Sequence, residues 1–89
     1  MPTICRFDGI AIRMFVELGG KHDTAHFHVR YQGMSASFGR VPVELLAGRL
    51  PIRQLRSVER WARLHRSELL ENWNRLQAEL PPKKIAPLR

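Results

Sequence analysis

His26-Phe27-His28-Val29-Arg30-Tyr31-Gln32-Gly33-Met34-Ser35-Ala36-Ser37-Phe38 is the stretch that decides the fold. Apolar and polar side chains alternate through both arms, and in an extended chain successive side chains point to opposite faces. Gln32-Gly33 supplies a two-residue turn between the arms. The resulting register sets Tyr31 opposite Met34, Val29 opposite Ala36 and Phe27 opposite Phe38. One face is then wholly apolar, while the other carries His26, His28, Arg30, Ser35 and Ser37 and is wholly polar.

Working outward toward the N-terminus, Thr3 to Phe7, Asp8-Gly9 and Ile10 to Glu17 repeat the pattern, with Asp-Gly providing the positive φ angles of a tight turn. Pairing Phe7 with Ile10 also pairs Cys5 with Ile12 and Thr3 with Met14. Cys5, Phe7, Ile10, Ile12, Met14 and Val16 then form an apolar surface. Ile4, Arg6, Ala11, Arg13, Phe15 and Glu17 fall on the other side. Leu18 to Thr24, with Gly19-Gly20, reads as a loop. Two hairpins with one apolar face each predict an antiparallel sheet covered on one side.

Toward the C-terminus, residues 39–50 fit either an edge strand or a short helix ended by Gly48, with extended structure preferred. From Pro51 the period becomes helical, because Leu55, Val58, Ala62, His65, Leu69, Trp73, Leu76 and Leu80 recur in steps of three and four. This segment is one helix or two with a bend near His65-Arg66, and Pro81-Pro82 stops it. The expected fold class is α+β: an antiparallel sheet of three to five strands, built from two hairpins and packed on one face by a C-terminal helical segment. A single domain over residues 1–80 is followed by a basic, proline-rich tail, 81–89, docked by Ile85 and Leu88. Trp73 lies on the buried stripe and reads as core, Trp61 lies off it and reads as partly exposed, and Cys5 reads as core.

The 89 residues suffice for one small core, and 44% hydrophobic content argues against wholesale disorder. No apolar run reaches the roughly 18 residues of a membrane helix. Met1 to Asp8 lacks the pattern of a secretory signal, and one cysteine allows no intrachain disulfide, so a cytoplasmic protein is expected. Fifteen Lys+Arg against eight Asp+Glu give a net charge of +7. Lys21, Lys83 and Lys84 are the only lysines, so twelve of those fifteen cations are arginine, the side chain whose fork matches phosphate and carboxylate oxygens. A polyanion or an acidic protein is the partner such a balance selects.

Three constellations carry chemistry. Arg49, Arg53, Arg56, Arg60 and Arg63 are spaced four, three, four and three, which on one helix places them in a narrow sector opposite the apolar stripe. There they would neutralise phosphates or dock an acidic protein, with Glu59 able to pair with Arg56 or Arg63. The bland alternative is a solvated helix face. On the polar sheet face, His26 and His28 point the same way beside Arg30, Ser35 and Ser37, with Arg6 and Arg13 brought near if the hairpins share a sheet. Two imidazoles can serve as general base and general acid while arginines hold a phosphate, the equipment of a metal-independent ribonuclease. His26, His28 and Arg13 are the candidate reactive group; the bland alternative is an ordinary solvated strand face. A zinc set from His22, His26 and His28 is the weakest reading, and no metal or cofactor is expected. His65, on the buried stripe, reads as a packed, hydrogen-bonded histidine.

Met1-Pro2-Thr3-Ile4, Arg6-Phe7, Gly9-Ile10, His26-Phe27-His28, Leu50-Pro51, Trp61-Ala62-Arg63-Leu64-His65-Arg66, Glu68-Leu69-Leu70, Asn72-Trp73 and Lys84-Ile85-Ala86-Pro87-Leu88 together resemble a bacterial family of small basic proteins, domain of unknown function family 4160. The resemblance implies a toxin-like member of a two-gene toxin–antitoxin module, and it brings no established active site. The expected activity is therefore action on RNA or the translation machinery, held in check by a cognate antitoxin-like protein. The alternative is a non-catalytic module that binds nucleic acid or an acidic protein.

Overall fold

Five strands run antiparallel in the order of the chain, each beside the one before it: β1 (Thr3–Phe7), β2 (Ile10–Arg13), β3 (His26–Tyr31), β4 (Met34–Arg40) and β5 (Val43–Gly48). Two helices follow, α1 (Ile52–Leu64) and α2 (Arg66–Gln77). The structure is a computed structural model that describes residues 3–14, 26–40 and 42–88. The expected loop, His22, and the outward continuation of the first hairpin through Phe15, Val16 and Glu17 lie outside the described residues.

The turn chemistry acts as the sequence suggests. Asp8 and Gly9 take φ of 49° and 78°, and Gln32 and Gly33 take 45° and 81°, so both hairpins turn through two left-handed residues. The central register holds throughout, with Phe27 opposite Phe38, Val29 opposite Ala36 and Tyr31 opposite Met34. In the first hairpin Phe7 faces Ile10 and Cys5 faces Ile12, but Thr3 faces Arg13, not Met14. The cause is an irregularity between Thr3 and Cys5, which takes one residue out of the alternation. Ile4 and Cys5 are consequently both buried, although strict alternation puts Ile4 on the mixed face. Residues 43–48 form an extended edge strand and not a short helix.

The apolar face of the sheet carries Phe7, Ile10, Ile12, Phe27, Val29 and Phe38, and these meet Val58, Trp61, Ala62, Leu69 and Leu76 of the helices in one core. Phe27 and Phe38 stack at 5.4 Å, and Trp61 meets the Phe27 ring edge-on at 5.8 Å. Trp61 is fully buried, which corrects its expected exposure. It belongs to the core because its ring fills the space over Phe7 and Phe27 while its Nε1–H donates to the Ala86 carbonyl at 2.8 Å. Of the two helical arrangements, the broken one is found. His65 has φ −117° and ψ 30° and serves both as the end of α1 and as the start of α2. Pro51 is the residue before α1 rather than its first turn. The chain leaves helical conformation after Gln77 and takes positive φ at Glu79, so Leu80 stands half exposed, off the buried stripe.

No helix among the described residues is long and apolar enough to cross a membrane. The helices occupy the apolar face. The other face of the sheet keeps its polar side chains at the surface.

Candidate functional site on the polar sheet face

Directly opposed residues of neighbouring strands share a face, so the strand pairing builds this surface row by row. Arg13 of β2 pairs with His28 of β3, and His28 pairs with Ser37 of β4, which pairs with Ala47 of β5. The adjacent row runs Arg6, Ala11, Arg30 and Ser35 across four strands. The two hairpins do share one sheet, and that brings the candidate reactive group and the sheet arginines together on one face.

Within the first row, Ser37 Oγ and His28 Nδ1 share a hydrogen bond at 3.2 Å, which fixes the plane of the imidazole. His26 lies edge-on to His28 with ring centroids 5.4 Å apart. On its other side His26 packs against Trp73 of α2 at 5.1 Å, so its ring is braced where the polar face meets the helical layer. Arg13 is half-buried, and its Nε has no hydrogen-bond partner among the described residues. A buried guanidinium N–H without an acceptor costs free energy, and the positive charge of the rest of the fork favours an anion beside it. Arg13, His28, Arg30, Ser35 and Ser37, with Ala47 and Gly48 at the rim, line a depression of about 270 Å³. Arg6 and Arg30 are exposed and raise the positive potential around it.

The helical arginines form a separate surface. Arg53, Arg56, Arg60 and Arg63 lie on α1, and all four are exposed. Among the described residues Glu59 makes no ion pair with Arg56 or Arg63, so the row keeps its charge. Arg49 is not part of that ladder. It precedes α1, and its backbone N–H donates to the Ser35 carbonyl at 3.1 Å, which places it at the end of β5. Helical spacing from Arg53 back to Arg49 has no meaning where the chain is not helical.

Cys5 and His65 have structural places, and His22 of the zinc set lies outside the described residues. Cys5 is buried in the core, and burial pushes its thiol above the ordinary range, with Trp61, Arg6 and Lys84 pulling weakly the other way. Such a thiol is inert as a nucleophile. His65 is half-buried beside Trp61 and bonded through Nδ1 to Glu68 Oε1, a structural histidine as read. No group of three or more His, Cys, Asp or Glu able to hold a metal ion comes together among the described residues. Sequence reasoning missed two contributors to the site: Trp73 as the wall behind His26, and Gly48 at the rim. A helical stripe identifies Trp73 as apolar but holds no information about which strand residue it meets.

The fold and site thus define a small basic α+β domain with a five-stranded sheet, helices on one face, and arginines and histidines on the other. The chain belongs to the family described as domain of unknown function DUF4160, whose model matches residues 9–74. The match takes in β2 to β5, α1 and α2 as far as Asn74, and leaves out β1 and the C-terminal tail. Neither the curated proteins nor the solved structures yield a match.

Proposed function

We propose that this chain is the toxin-like component of a toxin–antitoxin module, working in the cytoplasm on RNA and neutralised by a cognate partner protein. The observation that carries the RNA half is the Arg13–His28–Ser37 row beside Arg30: an oriented imidazole next to a half-buried guanidinium with a sealed, unsatisfied N–H. A phosphodiester fits that chemistry, since its non-bridging oxygens can pair with the guanidinium forks of Arg13 and Arg30. The two-protein module is supported by the family resemblance and by the surplus of exposed arginine.

In this reading a phosphate seated at Arg13 meets His28, its neighbour across the strands, and His26 stands one ring beyond His28. One histidine takes the proton from the ribose 2′-hydroxyl as that oxygen attacks phosphorus, and the other gives a proton to the departing 5′-oxygen. His28 is the better-oriented of the two, and His26 owes its place to Trp73. No metal enters the scheme.

The test is cleavage of labelled single-stranded RNA by purified protein in the presence of a chelator, with growth inhibition on induced expression, alone and beside the adjacent gene. His28→Ala and His26→Ala are expected to fold and to lose about 10²-fold or more of the cleavage rate. Arg13→Ala is expected to weaken RNA binding as well as rate. Full inhibition by correctly folded histidine variants sinks the catalytic reading. If Arg56→Glu/Arg60→Glu then abolishes both RNA binding and inhibition, the chain is a non-catalytic binding module acting through α1.

A further inference from the structure

The two edges of the sheet are treated differently. At β1 the C-terminal tail supplies partners, because Ile85 N–H donates to the Ile4 carbonyl at 2.8 Å and Lys84 Nζ to the Thr3 carbonyl at 2.9 Å. At β5, among the described residues, no strand or tail lies against the outer edge. The strand is exposed from Glu44 through Gly48. Leu45 is 38% and Leu46 54% exposed, and Ile52, at the start of α1, is 58% exposed. Exposed edges usually carry lysine, proline, inward charge or a bulge to prevent pairing; Leu45 to Gly48 has no lysine, proline or charge, and its one irregularity is the register shift at Leu46, opposite Ser37 and Phe38.

We infer that β5 is the docking edge for a sixth strand, supplied by an acidic, alternately apolar segment of a partner protein. Charge selects this occupant. Arg49 directly follows β5, α1 packs against β5, and Arg53 and Arg56 are exposed on its first turns, so carboxylates on an added strand meet cations beside it. A second copy of this chain brings the same arginines and a further +7, which opposes edge-to-edge pairing. Main-chain hydrogen bonds supply the affinity in such strand addition, and alternate side chains supply the specificity. Here Leu45 pairs with Phe38 on the helical side, while Leu46 reaches toward Gly39 on the polar face, so an added strand finds an apolar neighbour on each side.

This inference rests on the partner half of the proposed function and is independent of the RNA half. It also gives neutralisation a physical form. Ala47 and Gly48 of β5 rim the depression that holds Arg13 and His28. A strand seated on β5 stands beside that depression and narrows access to it.

The experiment selects from a pool of random ten-residue peptides on the immobilised full chain, then measures amide exchange with the winning peptide bound. The expected winners are acidic, alternately apolar sequences that protect amides in Val43–Gly48. Leu45→Ser/Leu46→Ser, which leaves the charge unchanged, is expected to weaken them by about tenfold or more, as is Arg49→Gln/Arg53→Gln/Arg56→Gln. Acidic winners that leave β5 amides unprotected, or no winners at all, overturn the inference. So does β5 protection that rises with the concentration of the free chain, which makes a second copy the occupant, or protection conferred by single-stranded RNA in place of peptide. The wild-type exchange pattern decides the matter even if a variant fails to fold. Loss of RNA cleavage in His28→Ala is read separately, so the two proposals can fail independently.

Discussion

Cys5 shows how a single side chain records the closure of the core. Its thiol sits in the core cluster with Phe7, Ile12 and Trp61, and burial holds its pKa above the ordinary thiol range. The neutral form is therefore favoured in the folded chain, and two consequences follow. Alkylation by iodoacetamide near pH 8 is expected to be slow in the native protein and to become fast across the urea transition. Stability is also expected to depend on pH with a definite sign. Below the thiol range both states hold the proton and nothing changes. Above it the unfolded chain ionises first, so Cys5 contributes a loss of stability as pH rises from about 8.5. Cys5→Ala is expected to remove that slope while costing packing, and urea melts from pH 7 to 10 read both. Fast native labelling at pH 8 contradicts the burial.

At the scale of elements, the join between β4 and β5 depends on one glycine. Gly48 has φ of 78°, and a Cβ there would meet the Ser35 carbonyl oxygen and come within 2.8 Å of the Ala36 Cα. Backbone cannot yield as a side-chain tip can, so Gly48→Ala is expected to destabilise the domain by about 2 kcal/mol or more. Thermal melts measure that cost, and amide exchange is expected to show β5 lost before the β3–β4 hairpin. The same join marks where sequence reasoning is strong and where it stops. The hairpins were legible because Asp8-Gly9 and Gln32-Gly33 demand left-handed turns and the alternation between them has one good register. The gathering of Arg13, His28 and Arg30 on one face followed from the same periodicity. The irregularity at Thr3–Cys5 and the burial of Trp61 were not legible, because both depend on how the sheet meets the helices, a relation between distant segments that periodicity does not encode. Arg49 misled for a related reason. A three-four spacing continues past the first residue of a helix only if the helix does.

At the scale of the whole molecule, the C-terminal tail closes the fold by linking both helices to β1. Asn72 of α2 is 1% exposed, and it holds the tail with two hydrogen bonds: Nδ2–H donates to the Lys83 carbonyl at 2.8 Å, and Oδ1 accepts from Lys83 N–H at 2.7 Å. Trp61 of α1 donates to Ala86, Ile85 is buried in the core, and Ile85 N–H pairs with Ile4 of β1. The exposed Lys83–Glu71 ion pair, which holds the Glu71 carboxyl below its usual range, adds little because solvent screens it. The buried amide is the stronger fastening, since removing it strands a donor and an acceptor of the backbone. Asn72→Ala is expected to cost about 1–3 kcal/mol, which in a domain of this size lowers Tm by roughly 4–8 °C for each kcal/mol. Glu71→Ala is expected to shift Tm far less. Amide exchange separates loosening of the tail from loosening of the sheet: Lys83 and Ile85 should exchange faster in Asn72→Ala, while β3 and β4 remain protected below the transition. Because the polar face lies on the other side of the sheet, RNA binding at 25 °C is expected to persist in that variant. If it falls in step with protection of the tail, the tail supports the site and not only the fold.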